Sequence, residues 1–196
     1  MKKLLTLLLT VAFATAFSGT PFGIRMGMSL QEITEISSTT PLRMDAGYAI
    51  TPPRVSNLFE TYIVSIHPEY GVYEIVAIGK NIATTGEGVA LRTAFNNVRN
   101  SIDNTYGRHL MTDRLERGSI WSRPRDFMMG LLTRERQLNA RWNESTSSSL
   151  PNNDIYVIFL TANALNSTTG FLMLLYRSGS HAKIEATRRQ QESSVF

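Results

Sequence analysis

The run from Leu58 to Ile82 constrains this chain more than any other. Two β-rich stretches, residues 58–67 and 72–82, flank Pro68-Glu69-Tyr70-Gly71. Pro68 presets φ for a turn, and Gly71 supplies the left-handed residue that closes it. A four-residue loop pairs His67 with Val72, then Ile66 with Tyr73, Ser65 with Glu74, Val64 with Ile75, Ile63 with Val76 and Tyr62 with Ala77. In that register Tyr62, Val64, Ile66, Tyr73, Ile75 and Ala77 share one face, which reads as core. A slip by one residue would turn all of them to the other face, so the register is well specified.

The first residues read as an address rather than as fold. Met1-Lys2-Lys3 is a basic start, and Leu4 to Phe13 is apolar except for Thr6 and Thr10. Ala12-Phe13-Ala14 and Ala14-Thr15-Ala16 fit small-x-small cleavage sites, the pattern of a bacterial secretory signal. The apolar run falls short of the roughly 20 residues of a membrane span. Residues 1–16 are therefore expected to be a signal peptide cut after Ala16, with Ala14 and Ser18 as rival sites. Residues 17–196 are expected to form one α+β domain, soluble in the periplasm or outside the cell. No cysteine is present, which excludes both a lipidated N-terminal Cys and disulfides.

The formal charge is +4, and without Lys2 and Lys3 the balance is 18 basic to 16 acidic residues, or +2. That is too small to point to nucleic acid or an anionic membrane as partner. Only Lys80 and Lys183 are lysines after residue 3. Arginine suits planar, bidentate interface contacts, although genomic base composition produces the same bias.

Along the chain, Ser29-Leu30-Gln31-Glu32 fits a capping box opening a short helix with Leu30, Ile33 and Ile36 inward. Leu42 to Ile50 reads as a strand ended by Thr51-Pro52-Pro53. From Val89 to Tyr106, Leu91, Phe95, Val98 and Ile102 make one helical stripe, and Gly107 supplies the stop. Arg108 to Arg123 reads as irregular. Pro124 starts a third helix to about Trp142, with Met128, Leu131, Leu138 and Trp142 inward. Residues 154–165 and 170–177 form a second hairpin around residues 166–169. Its first strand is apolar on both faces, hence central in the sheet or covered on both sides. The order gives an antiparallel sheet with helices on one face. Two degenerate helix–hairpin halves fall at residues 22–83 and 84–180, with 181–196 as a helix-permissive tail.

The opening, Phe22-Gly23-Ile24 followed by Gly27-Met28-Ser29, Glu32 and Ile33, resembles the start of exported bacterial α+β proteins of uncharacterised activity. It is also similar to the helix that opens the small α+β repeats of β-lactamase-inhibitor-like and outer-membrane-assembly proteins. The likeness covers about a dozen residues and implies fold and compartment rather than chemistry. The Gly-x-Pro that often follows in those families is replaced by Ser37-Ser38-Thr39.

Chemistry is sparse. His67, His109 and His181 are each isolated, with no second ligand at metal spacing, so no metal or cofactor is expected. Gly118-Ser119-Ile120-Trp121 and Ser178-Gly179-Ser180-His181 do not fit a nucleophile elbow. Gly86-Glu87-Gly88 lacks the lysine and the full glycine pattern of a phosphate loop and reads as a lead into the long helix. Asp113, Glu116, Glu135 and Glu144 have arginines close by and read as paired surface.

The segment from Arg108 to Arg141 is the sequence's best candidate for function. Arg114, Arg117, Trp121, Arg123, Arg134, Arg136 and Arg141 are its candidate binding residues, since Arg and Trp dominate interface hot spots. The plain alternative is a cover whose tryptophans are core and whose arginines are solvated. The expected function is an exported protein that binds rather than catalyses, with a protein partner in the cell envelope. A small periplasmic hydrolase sited on residues 108–142, and a structural subunit of an envelope assembly, are the competing expectations.

Overall fold

In the computed structural model, residues 20–146, 150 and 154–193 are described. The expected signal peptide lies outside them. The fold is α+β, with an antiparallel sheet and four α-helices.

Helix α1 (Leu30–Ile36) begins where its capping box dictates. Glu32 N–H donates to Ser29 Oγ at 3.2 Å, and Ser29 N–H donates to Glu32 Oε2 at 2.7 Å. The segment expected as one strand is a tight pair, β1 (Leu42–Met44) and β2 (Gly47–Ile50). Asp45 and Ala46 make the turn, and Gly47 opens β2 at φ +139°, where a Cβ would lie 2.3 Å from the Val64 carbonyl oxygen.

The central hairpin is β3 (Phe59–His67) and β4 (Gly71–Gly79). Its register is the expected one from Tyr62–Ala77 to Ser65–Glu74. Beyond that, Tyr73 is an extra residue on β4, so Ile66 pairs with Val72 and His67 with Gly71. The bulge buries Val72 in place of Tyr73. Gly71 does take the left-handed conformation, with φ +64°.

After the short β5 (Ile82–Ala83), α2 spans Val89–Tyr106 and buries Leu91, Phe95, Val98, Ile102 and Tyr106. The Gly86–Gly88 lead serves close packing. A Cβ on Gly86 would meet the Arg125 carbonyl oxygen at 2.4 Å, and one on Gly88 the Phe127 ring at 2.5 Å. The segment expected to be irregular forms the edge strand β6 (Leu110–Leu115).

The third helix is much shorter than expected. A 3-10 turn at Pro124–Asp126 leads into α3 (Phe127–Leu132), which stops before Arg134 at φ +63°. Arg136–Asn143 is then strand β7. Met128, Leu131, Leu138 and Trp142 are all buried as expected, but the last two are on a strand, alternating with exposed or half-exposed neighbours. The long hairpin β8 (Ile155–Asn166) and β9 (Thr169–Ser178) follows, and the tail is helix α4 (His181–Ser193).

The strands lie in the order β1-β2-β3-β4-β9-β8-β7-β6, with β5 pairing beside β9. Each half is a helix followed by an antiparallel meander, α1 then β1–β4 and α2 then β6–β9, with α3 inserted. The last strands of the two meanders, β4 and β9, pair at the middle of the sheet. α2 and α3 pack on β7, β8 and β9, and α1 joins the same core through Ile33. The core thus lies on one side of the sheet.

Candidate functional site

The other side of the sheet carries the start of α4 at one end, where His181 reaches Glu74, and is otherwise largely uncovered. β9 shows why: burial alternates at every residue, with Leu172, Leu174 and Tyr176 buried and Phe171, Met173 and Leu175 half-buried. β8 was expected to be central or covered on both sides. It is central, between β7 and β9. It is covered on one side only: Ile158, Leu160 and Ala162 are buried, Val157 and Phe159 are half-buried and Tyr156 is exposed.

Register joins these outward residues into rows. Ile63 pairs with Val76, Val76 with Leu175, Leu175 with Phe159, Phe159 with Arg141 and Arg141 with Leu110. One side of this apolar row is charged, with Glu74 across from Arg177 and Arg177 across from Val157. The other side runs from apolar to polar, through Ile78, Met173, Thr161 and Asn139. Arg141, Val157, Phe159, Leu175 and Arg177 line a shallow cleft of about 370 Å³ at the centre.

The charges on this face are unequal. Arg177 Nε donates to Glu74 Oε2 at 2.6 Å, and His181 Nε2 lies 3.4 Å from the same oxygen. Burial pushes the His181 pKa down, the Arg177 charge adds to that, and Glu74 and Glu185 oppose it. Arg114 and Arg141 are exposed and in no ion pair among the described residues. The face is therefore apolar at its centre and positive towards β6 and β7.

The arginine-rich segment is divided by the sheet. Arg141 and Arg114 point with Phe159 to the open face, since β6 and β7 pair Leu110 with Arg141 and Arg114 with Gln137. Arg136 points to the helical side, where it donates to Asp113 Oδ1 at 2.7 Å and its guanidinium stands 4.8 Å from the Phe127 ring centroid. Trp121 is half-buried and packs near Gly130 beside Arg136. Arg123 Nε bonds Asp126 at 2.8 Å, while Arg117 and Arg134 are exposed in turns. The structure thus groups Trp121 with Arg136 around α3 and separates both from Arg114 and Arg141. Sequence reasoning missed Phe159, Leu175 and Arg177. Their signal was the two-sided apolar character of β8 and β9.

The histidines do not converge. His109 Nδ1 and Trp142 Nε1 lie 2.7 and 3.0 Å from Asp103 Oδ1, a packing network around a fully buried indole. His67 stacks near Tyr70 at the hairpin turn, and His181 begins α4. Among the described residues no group of three or more His, Asp or Glu is placed to hold a metal ion.

No protein-family model, curated protein or solved structure matches the chain. Among the described residues no helix is long and apolar enough to cross a membrane.

Proposed function

We propose that this is an exported, non-enzymatic binding protein that docks a protein partner on the open face of its sheet. The observation that carries the reading is the row Ile63–Val76–Leu175–Phe159 ending at Arg141. Contiguous half-exposed apolar residues rimmed by polar groups mark interaction surfaces. At about 4.8 Å between strands and ~3.3 Å per residue, five strands of about nine residues span roughly 700 Å² in projection. A standard interface needs about 800 Å² per partner. The partner that fits has an apolar surface carrying carboxylates, because Arg114 and Arg141 await counter-charges while Glu74 is already engaged.

The export component rests on the leader pattern of residues 1–16. Nothing in the geometry favours the hydrolase reading of residues 108–142, whose Asp113 and Asp126 are held by Arg136 and Arg123.

The test is tagged capture from the producing cells, comparing the native chain with Phe159→Asp, Arg141→Glu and, as control, Arg134→Ala. Loss of one stoichiometric, carboxylate-rich partner in the first two variants and its retention in the control is the expected result. A partner that survives both open-face variants would sink the reading. Sedimentation of the pure protein separates out the structural-subunit reading, in which the partner is a second copy.

A further inference from the structure

The covered side of the sheet holds a second feature, independent of the open face. Between α2 and the opening segment lies a cavity of about 440 Å³, within the range of small-molecule sites. Leu174 and Tyr176 of β9 form its floor, Val98 and Ile102 of α2 one wall, and Phe22 and Phe59 the other. Leu174 and Tyr176 alternate with Leu175 and Arg177, so cavity and docking face are on opposite sides of one strand.

The walls are built to stay open. Phe22 adopts φ +53°, a strained conformation for a bulky residue. Its ring is held edge-on to Tyr62, Phe59 and Tyr176 at centroid distances of 4.8, 6.0 and 6.1 Å.

The polar side chains of the lining are hydroxyls, one amide (Asn97) and one guanidinium (Arg54). Tyr176 is 5% exposed, and its hydroxyl has no hydrogen-bond partner among the described residues. Tyr176 lines the cavity, so its hydroxyl is left to water or a ligand there. Tyr106 lies beside it, ring centroids 6.4 Å apart. Burial pushes Tyr106 up to about 12 and Tyr176 higher still, so both are neutral donors at any physiological pH. Among the described residues Arg54 is the only charged side chain lining the space, and no carboxylate does. Its Nη2 donates to the Thr20 carbonyl and hydroxyl at 2.7 and 2.8 Å, which fixes the guanidinium at the rim.

We infer that this cavity binds a small amphipathic carboxylate, an aryl or short alkyl acid. The apolar body fills the space between Phe22 and α2, and the carboxylate faces the positive charge of Arg54 and the Tyr176 hydroxyl. A cation is excluded by the lone positive charge. A phosphate dianion would leave one of its charges uncompensated in an apolar site.

The test is isothermal titration of the purified protein with 3-phenylpropanoate and with octanoate, each against its primary amide. The acids are expected to bind at least tenfold more tightly than the amides. Tyr176→Phe keeps the ring packing and removes only the hydroxyl; it is expected to weaken acid binding about fivefold to tenfold with an unchanged melting temperature. Arg54→Gln is expected to abolish the preference for acid over amide. The inference is overturned if the native protein binds neither acid at millimolar concentration. Equal binding of acid and amide, or full affinity in Tyr176→Phe, overturns it equally.

Discussion

Arg141 on β7 stands directly across from Phe159 on β8, and both face away from the helices. A cation beside a half-buried ring, at the end of an apolar cross-strand row, is the arrangement on which partner binding is expected to depend. Arg141→Glu replaces an exposed side chain that is in no ion pair among the described residues, so its effect on folding is expected within about 0.5 kcal/mol. Its effect on association is expected to be at least tenfold and salt-sensitive, because a rim charge acts through long-range attraction. Surface plasmon resonance with the captured partner at two salt concentrations checks this.

Trp142 is fully buried, and its Nε1–H donates both to Asp103 Oδ1 at 3.0 Å and to the Gly107 carbonyl at 3.1 Å. Trp142→Ala is expected to cost about 3–5 kcal/mol through the cavity it leaves. Asp103→Ala keeps the Gly107 bond and is expected to cost about 1–2 kcal/mol. Urea denaturation of both variants measures the two values. A cost in Asp103→Ala equal to that of Trp142→Ala would mean that the polar network, not the packing, holds this corner.

At Gly71, φ is +64° and an added Cβ would lie 2.0 Å from the Gly27 carbonyl oxygen. The close approach exists because the opening segment pairs with β4: Gly27 N–H donates to the Val72 carbonyl, and Val72 N–H donates to the Met28 carbonyl, each at 2.8 Å. Left-handed backbone alone costs an L-residue roughly 1–2 kcal/mol. Gly71→Ala is therefore expected to lose more than about 2 kcal/mol, since backbone must also move. A midpoint shift in urea of the matching size checks it.

His181 gives the protein a pH-dependent corner. Its pKa lies below the ordinary 6.5, through burial first and the Arg177 charge second, against the pull of Glu74 and Glu185. The unfolded chain therefore binds this proton more readily than the folded one. The associated stability is fully present above about pH 6.5 and is lost as pH falls through the depressed folded value. A lower melting temperature at about pH 5 than at pH 7.5 is expected. His181→Asn is expected to shrink that difference, and an unchanged difference would show that other groups cause it.

What the sequence disclosed follows from periodicity. The stripe of Leu91, Phe95, Val98 and Ile102 has one reading, and α2 has the expected bounds. Leu131, Leu138 and Trp142 satisfy a helical spacing, whereas Leu138, Ala140 and Trp142 satisfy a strand spacing. Only the left-handed turn at Arg134 decides between them, and its side chain gives no warning of it. The Tyr73 bulge is equally silent, since a local pattern fixes register only where no residue is inserted. The candidate site suffered most. Neighbouring arginines on a strand point to opposite faces, so a cluster in sequence became two groups in space. The apolar outward residues of β8 and β9 looked like buried ones, because sequence shows hydrophobicity and not what covers it.

The most direct measurement is site-specific photo-crosslinking in the producing cells, with a benzophenone side chain placed at Phe159, at Met173 or, as control, at Arg125. The proposal predicts a single adduct with another protein from the first two positions and none from Arg125. Adducts from Arg125 alone, or none from any position, would contradict it and leave the open sheet face without a partner.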